Sequence, residues 1–93
     1  MRFGILGYGG IAQRFVGDSA QVREAEITVI ASRTEAKQKA AASAVKTAQI
    51  VDQYDACLSS PKVDCVYIAL PHLMHKEMAM AALAQHKHVL VEK

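Results

Sequence analysis

Runs of apolar residues alternate along the chain with segments in which apolar side chains recur every three or four positions. Five runs are short and rich in β-branched residues, which is typical of strands buried on both faces of a sheet. They predict strands at residues 2–6, 27–31, 48–51, 65–70 and 88–91. The intervening segments predict helices at 11–19, 37–45, 52–58 and 73–85. Thr34 and Asp52 are the expected helix caps.

The order of these elements is strand and helix in strict alternation, beginning and ending on a strand. Such alternation predicts an α/β fold with a parallel sheet and helices on both faces. Right-handed crossovers favour a doubly wound sheet with the strand order 3-2-1-4-5. Ligands of open α/β sheets bind at the carboxyl ends of the strands. The residues that follow each strand are therefore the candidates for chemistry.

Size and composition exclude several classes of function. The chain has 93 residues, of which 52% are hydrophobic and 22% charged, and its net charge is +2. One domain with a modest core is expected. This net charge is too small to indicate binding to nucleic acid or to a membrane surface, and no run approaches the roughly 18 apolar residues that span a bilayer. Without a secretory signal, Cys57 and Cys65 are expected to be reduced thiols of a cytoplasmic protein.

A glycine-rich turn with the pattern G-x-G-x-x-A follows the first predicted strand and opens a helix. In that context the pattern predicts a dinucleotide site in a Rossmann-like sheet, and the alternative is a tight strand–helix turn without a ligand. Gly7 permits the turn, Gly9 leaves room for a pyrophosphate, and Ala12 lets the helix pack on the strand. The helix N-terminus offers free N–H groups and a partial positive charge. The cofactor contacts predicted here are Gly7, Tyr8, Gly9, Gly10, Ile11 and Ala12.

The end of the second strand indicates which dinucleotide binds. An NAD site usually has a carboxylate about 20 residues beyond the glycines, on the adenosine ribose. This chain instead has Ser32 and Arg33 there. Together with Lys37 they supply the donors and cations that a 2′-phosphate needs. Arg33 can also stack on the adenine, and Lys37 is otherwise a solvated residue of a helix start. We expect NADP rather than NAD.

A second candidate segment follows the fourth strand, on the switch-point side of the sheet. Its expected cofactor contacts are Ala69, Leu70, Pro71, His72 and His75. The two histidines are three residues apart and share a helix face, but no third ligand is near, so no metal is expected. We expect His72 to contact the nicotinamide side and His75 to make a structural hydrogen bond. The alternative for either is a polar surface cap.

Two neighbouring sets of side chains are assigned no chemistry. Met74, Met78 and Met80 are expected to fill gaps in the core. Residues 86–88 are expected to form a solvated turn.

Glu92 and Lys93 follow the fifth predicted strand. A buried lysine beside a carboxylate can hold a substrate hydroxyl or tune a proton transfer. The alternative is a solvated pair at a strand end. Lys93 is the candidate catalytic residue, and both residues are candidate cofactor contacts.

Together these motifs resemble the glucose–fructose oxidoreductase / inositol dehydrogenase / MocA family (Gfo/Idh/MocA). The resemblance rests on segments 7–12, 31–33 and 64–71, on His75 and on 87–93. It implies an NAD(P)-dependent dehydrogenase or reductase of sugars, polyols and related carbonyls, in which Lys93 lies near the nicotinamide and the substrate. His72 stands where many members of the family have asparagine.

The resemblance also implies a second domain after Lys93, with most substrate contacts and a dimer surface. We therefore expect residues 1–93 to be a dinucleotide-binding domain, truncated before that second domain. The parent would transfer a hydride between NADP, or alternatively NAD, and a sugar- or polyol-like substrate, and would form a homo-oligomer through the missing domain. The chain alone is expected to be inactive. The competing hypotheses are a nucleotide-binding module without catalysis and a purely structural α/β domain.

Overall fold

The computed structural model describes residues 1–91, which contain one parallel sheet with the strand order β3-β2-β1-β4-β5. The strands are β1 Arg2–Leu6, β2 Glu26–Ala31, β3 Gln49–Val51, β4 Cys65–Ile68 and β5 His88–Val91. The helices are α1 Gly10–Ser19, α2 Glu35–Ala44, α3 Tyr54–Leu58 and α4 His75–Ala84, and a 3₁₀ helix, His72–Met74, precedes α4. The predicted element order and strand order are confirmed.

Helices cover both faces of the sheet, as the doubly wound prediction requires. Successive residues of a strand point to opposite faces, so neighbours such as Ile5 and Leu6 enter different clusters. One cluster packs against α3 and α4 and includes Leu6, Val29, Cys57, Val66, Ile68 and Ala82. The other packs against α1 and α2 and includes Ile5, Tyr8, Ala12, Ile30, Ala41 and Tyr67.

Several predicted bounds are wrong by one turn or less. Helix α3 begins at Tyr54, and Gln53 rather than Asp52 is its N-cap. Helix α2 begins directly after Thr34, whose side chain makes no capping hydrogen bond. Strand β4 ends at Ile68 instead of residue 70, because its partner β1 ends at Leu6, opposite Ile68 in the register.

The last predicted helix, 73–85, divides into two segments. Pro71 is extended, with ψ 147°, and the first turn after it is a 3₁₀ helix in which the Met74 N–H donates to the Pro71 carbonyl at 2.9 Å. Helix α4 follows at His75 and packs Met78 and Ala82 on the core. Met80 is 61% exposed, so its predicted core position is wrong. It lies two residues from both Met78 and Ala82, which places it on the opposite side of the helix.

The prediction of a solvated turn at residues 86–88 is wrong at Lys87. The Lys87 ammonium is part-buried and donates to the carbonyls of Ser60 and Val63, at 2.6 and 2.7 Å. It therefore ties the start of β5 to the loop that precedes β4. His86 is exposed, with φ 61°, and His88 is already the first residue of β5.

Both cysteines are buried free thiols. Burial raises the pKa of the Cys57 thiol to about 12, and it also raises the pKa of Cys65. The neutral thiol is thus favoured at both positions, and neither is suited to act as a nucleophile. No helix within residues 1–91 is both long enough and apolar enough to cross a membrane.

An ion pair joins the first residue of β1 to the residue before β4. The Arg2 guanidinium donates to both carboxylate oxygens of Asp64, at 3.0 and 3.1 Å, and the Arg2 backbone N–H donates at 3.0 Å. These bonds lower the pKa of Asp64 to about 2. A carboxyl whose pKa is lower when folded stabilises the fold above its unfolded pKa and loses that contribution as the pH falls through the folded value.

We therefore expect the stability contributed by Asp64 to disappear between about pH 4 and about pH 2. Asp64→Asn should lower the free energy of unfolding at pH 7 and reduce its pH dependence within that window. Urea unfolding of both proteins at a series of pH values measures this. The difference should shrink at high salt because the pair is partly exposed. An equally steep acid dependence in Asp64→Asn would contradict the assignment.

Candidate functional site

The glycine turn connects the carboxyl end of β1 to the start of α1. Gly7 has φ +89°, and a Cβ there would lie 2.7 Å from the Ala69 carbonyl oxygen, so only glycine fits. Its N–H donates to the Ala31 carbonyl at 2.8 Å. Gly9 is different, because a Cβ there would meet only the Lys37 ammonium, at 3.5 Å. Gly7 is thus required by the fold itself, whereas Gly9 leaves open space above the helix.

Among residues 1–91, no side chain caps the N-terminus of helix α1. Gly9 is the N-cap, with no side-chain capping bond, and the first turn has no acidic residue. Those N–H groups and the helix dipole can therefore receive an anion. Ala12 is fully buried in the role predicted for it, and the half-exposed Ile11 lies beside the turn. The Tyr8 ring lies in the core, which leaves its backbone for the predicted cofactor contact.

A cavity of about 390 Å³ opens between the glycine turn and the loop that follows β4. It is lined by Gly9, Gly10, Ile11, Ala69, Leu70, Pro71, His72 and His75. Every lining residue belongs to one of the two motifs predicted as cofactor contacts, although some 60 residues separate these motifs. They meet because β1 and β4 are neighbours at the point where the strand order reverses.

The end of β2 is held in place by three contacts. Ser32 is buried; its N–H donates to the Val51 carbonyl at 3.0 Å, and its carbonyl accepts from the Gln38 side-chain amide at 2.7 Å. The Arg33 guanidinium carbon lies 5.8 Å from the centre of the Tyr54 ring, within cation–π range. Sequence reasoning missed both Gln38 and Tyr54. Tyr54 could have been found, because it follows β3 at the same edge of the sheet.

The Lys37 side chain extends from α2 to the glycine turn. Its side chain is exposed, yet its ammonium lies beside Gly9 at the glycine turn. Arg33 and Lys37 thus place two cations next to the expected path of a dinucleotide. Of the two interpretations of Lys37, a solvated helix start and an anion contact, the position of the ammonium favours the anion contact.

The two histidines after β4 have different environments. The His75 Nε2–H donates to the Leu70 carbonyl at 2.7 Å, so the structural hydrogen bond predicted for His75 is confirmed. His72 is exposed, and its ring meets the His75 ring edge-on with centroids 5.1 Å apart. Residues 1–91 hold no group of three histidine, cysteine or acidic side chains placed to bind a metal ion.

Glu92 and Lys93 lie outside the described residues. The last described strand residue, Val91, is paired in register with Ile68 of β4. The carboxyl end of β5 therefore lies beside the segment that lines the cavity.

Comparison with known proteins agrees with this geometry. The chain matches the Gfo/Idh/MocA family, described as an oxidoreductase family with an NAD-binding Rossmann fold, over residues 1–93. It is 40% identical to a D-xylose 1-dehydrogenase (NADP(+)) of Haloferax volcanii, over the whole chain and 29% of that protein. It is 32% identical to the scyllo-inositol 2-dehydrogenase (NADP(+)) IolU of Bacillus subtilis, over the whole chain and 28% of that protein.

A solved structure of KijD10, a 3-ketoreductase from Actinomadura kijaniata in complex with NADP and TDP-benzene, is also similar. It is 35% identical with a TM-score of 0.92, and the match covers all of this chain and 29% of that one. The chain therefore spans under a third of the length of these relatives. By its sequence match and its fold, the chain belongs to the Gfo/Idh/MocA oxidoreductase family and corresponds to its NAD-binding Rossmann domain.

Proposed function

We propose that this chain binds NADP(H) and is the cofactor domain of an oxidoreductase acting on a sugar, a polyol or a related carbonyl or alcohol. The observation that carries the proposal is the cavity of about 390 Å³ in which the glycine turn and segment 69–72 meet at the free N-terminus of α1. A nicotinamide cofactor bound there would supply the hydride. The chain's own residues would bind and orient it.

The space beside Gly9, at the N-terminus of α1, can accommodate the pyrophosphate of the cofactor. The first-turn N–H groups of α1 are free to donate, and the absence of a side chain at Gly9 leaves room for phosphate oxygens to approach them. Lys37 adds a positive charge on the same side. The loop after β4 forms the opposite wall, which suits the nicotinamide end because it lies towards β5.

The residues expected at the adenosine end of the cofactor favour NADP over NAD. Ser32 and Arg33 occupy the position where an NAD site usually has a ribose-binding carboxylate. Arg33 is exposed on one side and rests over Tyr54 on the other, so its guanidinium can pair with a 2′-phosphate. Relatives named as NADP(+) enzymes and the NADP complex of KijD10 support the same preference.

Arg33→Asp should weaken NADPH binding by roughly 1–3 kcal/mol, or about 5- to 150-fold, and should leave NADH affinity largely unchanged. The physical reason is that a charge-assisted contact to the 2′-phosphate is replaced by repulsion. Fluorescence titration of the 93-residue chain with both cofactors measures it. Arg23→Asp, which makes the same charge change at an exposed residue before β2, is the matched control. Equal wild-type affinity for the two cofactors, unchanged in Arg33→Asp, would contradict an NADP preference.

We further propose that substrate recognition and oligomerisation belong to a second domain, which residues 1–93 do not contain. The support is that the chain matches 27–29% of the length of its relatives. The names of those relatives include a xylose dehydrogenase, an inositol dehydrogenase and a dTDP-sugar reductase, so a sugar- or polyol-like substrate is the class we assign. Lys93 would contact that substrate. The buried free thiols support the expected cytoplasmic location.

A further inference from the structure

We infer that His75 is a positioning residue, which shapes the nicotinamide-side wall of the cavity by holding the peptide of Leu70. This inference rests on the proposed cofactor function. His75 and Leu70 both line the cavity, and the Nε2–H of His75 donates to the Leu70 carbonyl across only 2.7 Å. The ring reaches back five residues along the chain and thereby closes the loop between β4 and α4.

Backbone hydrogen bonds fix the residues before and after Leu70, whereas the Leu70 carbonyl is held by a side chain. Before it, the Ala69 N–H donates to the Leu6 carbonyl at 3.0 Å, which extends the pairing with β1 by one residue. After it, the Met74 N–H donates to the Pro71 carbonyl within the 3₁₀ helix. Pro71 itself has no N–H to contribute. The His75 bond falls between these two anchors.

The position of Leu70 affects the glycine turn as well as the cavity wall. A Cβ at Gly7 would lie 2.9 Å from the Leu70 Cδ2 atom and 2.7 Å from the Ala69 oxygen. The two motifs are therefore in direct contact, and a shift of the Leu70 peptide changes the width of the cavity between them. Because closely packed groups do not deform continuously, a small shift of the Leu70 peptide is expected to matter for a ligand that touches both walls.

The hydrogen bond also determines what the two histidines can do. With Nε2 donating to a carbonyl, the neutral His75 ring carries its proton on Nε2, and that nitrogen is not available to a cofactor, a substrate or a metal. His72 is exposed beside it and carries no such bond among the contacts described for residues 1–91. Of the two, His72 is the one left to contact a ligand directly.

The test compares two ligands that occupy different parts of the site. NADPH spans both halves, whereas adenosine 2′,5′-bisphosphate fills only the adenosine half. Using calorimetry on the 93-residue chain at pH 8, we expect His75→Ala to weaken NADPH about tenfold, the scale of one lost hydrogen bond, with the bisphosphate affected less than about twofold. His75→Gln, which keeps an N–H donor, should recover most of the affinity. Lys76→Ala, an exposed neighbour on α4, should match wild type for both ligands.

A second measurement needs no cofactor. Nitrogen-15 NMR of the imidazole in the free protein should show the Nε2–H tautomer for His75, and His75→Ala should shift the backbone amide signals of Leu70 and His72, the residues on either side of Pro71. The inference fails if folded His75→Ala binds NADPH normally, if it loses both ligands equally, or if the neutral ring is the Nδ1–H tautomer. A wild-type chain that binds neither ligand would instead overturn the proposed function, and the inference with it.

Discussion

Gly9→Val should abolish dinucleotide binding while leaving the fold of the chain intact. The Gly9 backbone is extended, with φ −90° and ψ −164°, which valine adopts without strain. A Cβ there meets only the end of the flexible Lys37 side chain, at 3.5 Å. The two added methyl groups would instead occupy the space that a pyrophosphate needs above the N-terminus of α1. Titration with NADPH, together with urea unfolding, measures the two effects separately.

Two other glycines serve as controls for this substitution. Gly7→Ala should destabilise the fold, because its φ is +89° and its Cβ would meet the Ala69 carbonyl oxygen at 2.7 Å. Gly17→Ala lies inside α1, where the new Cβ meets nothing within 4 Å apart from its own stretch of helix, and should stabilise the chain by roughly 0.5–1 kcal/mol with binding unchanged. Normal NADPH binding by a folded Gly9→Val protein would show that the glycine turn is structural.

Lys93→Ala should reduce kcat by about 10²–10³ in a polypeptide that also contains the proposed second domain, with little change in cofactor affinity. The reason is that the proposed role of Lys93 is a charge-assisted contact at the reacting carbon rather than on the cofactor. Val91 ends β5 beside the cavity-lining segment, and Lys93 follows it by two residues in the sequence. Steady-state kinetics with a sugar or polyol substrate, combined with cofactor titration, separates kcat from binding.

Two comparisons make this result interpretable. The 93-residue chain alone should show no turnover, because catalysis needs substrate, nicotinamide and lysine held together in a cleft that excludes water, and this domain supplies one side of it. Lys46→Ala, an exposed lysine after α2, should retain wild-type turnover in the longer protein. If Lys93→Ala also retained wild-type turnover, Glu92 and Lys93 would be a solvated pair. Residues 1–93 would then be better described as a cofactor-binding module that contributes no catalytic residue from this segment.

The sheet could be predicted because its signal is local and repeated. Each strand contains a short apolar run, and two of the predicted ranges, 2–6 and 88–91, coincide with β1 and β5. The strand order then follows from alternation and crossover handedness, which need no knowledge of side-chain contacts. The packing role of Ala12 could be predicted for the same reason, since it depends on one strand, one turn and one helix.

The errors arose where a neighbour distant in sequence decides the outcome. Strand β4 ends early because its partner β1 ends. Met80 is the exception, because it lies two residues from Met78 and Ala82, which pack on the core, and helical spacing alone places it on the opposite side of α4. Lys87 looked like part of a polar turn, yet it donates to carbonyls 24 and 27 residues away. No pattern within residues 86–88 carries that information.

The sequence by itself determined the fold class, the strand order and the two motifs of the candidate cofactor site, because hydrophobic periodicity and glycine placement act over a few neighbouring residues. Only the tertiary structure decided how those motifs are used. The close contact of Gly7 with Ala69, the reach of Lys37 to Gly9 and the stacking of Arg33 on Tyr54 each join separate elements. Such contacts depend on the packing of side chains between elements, and that packing exists only once the sheet has brought the elements together.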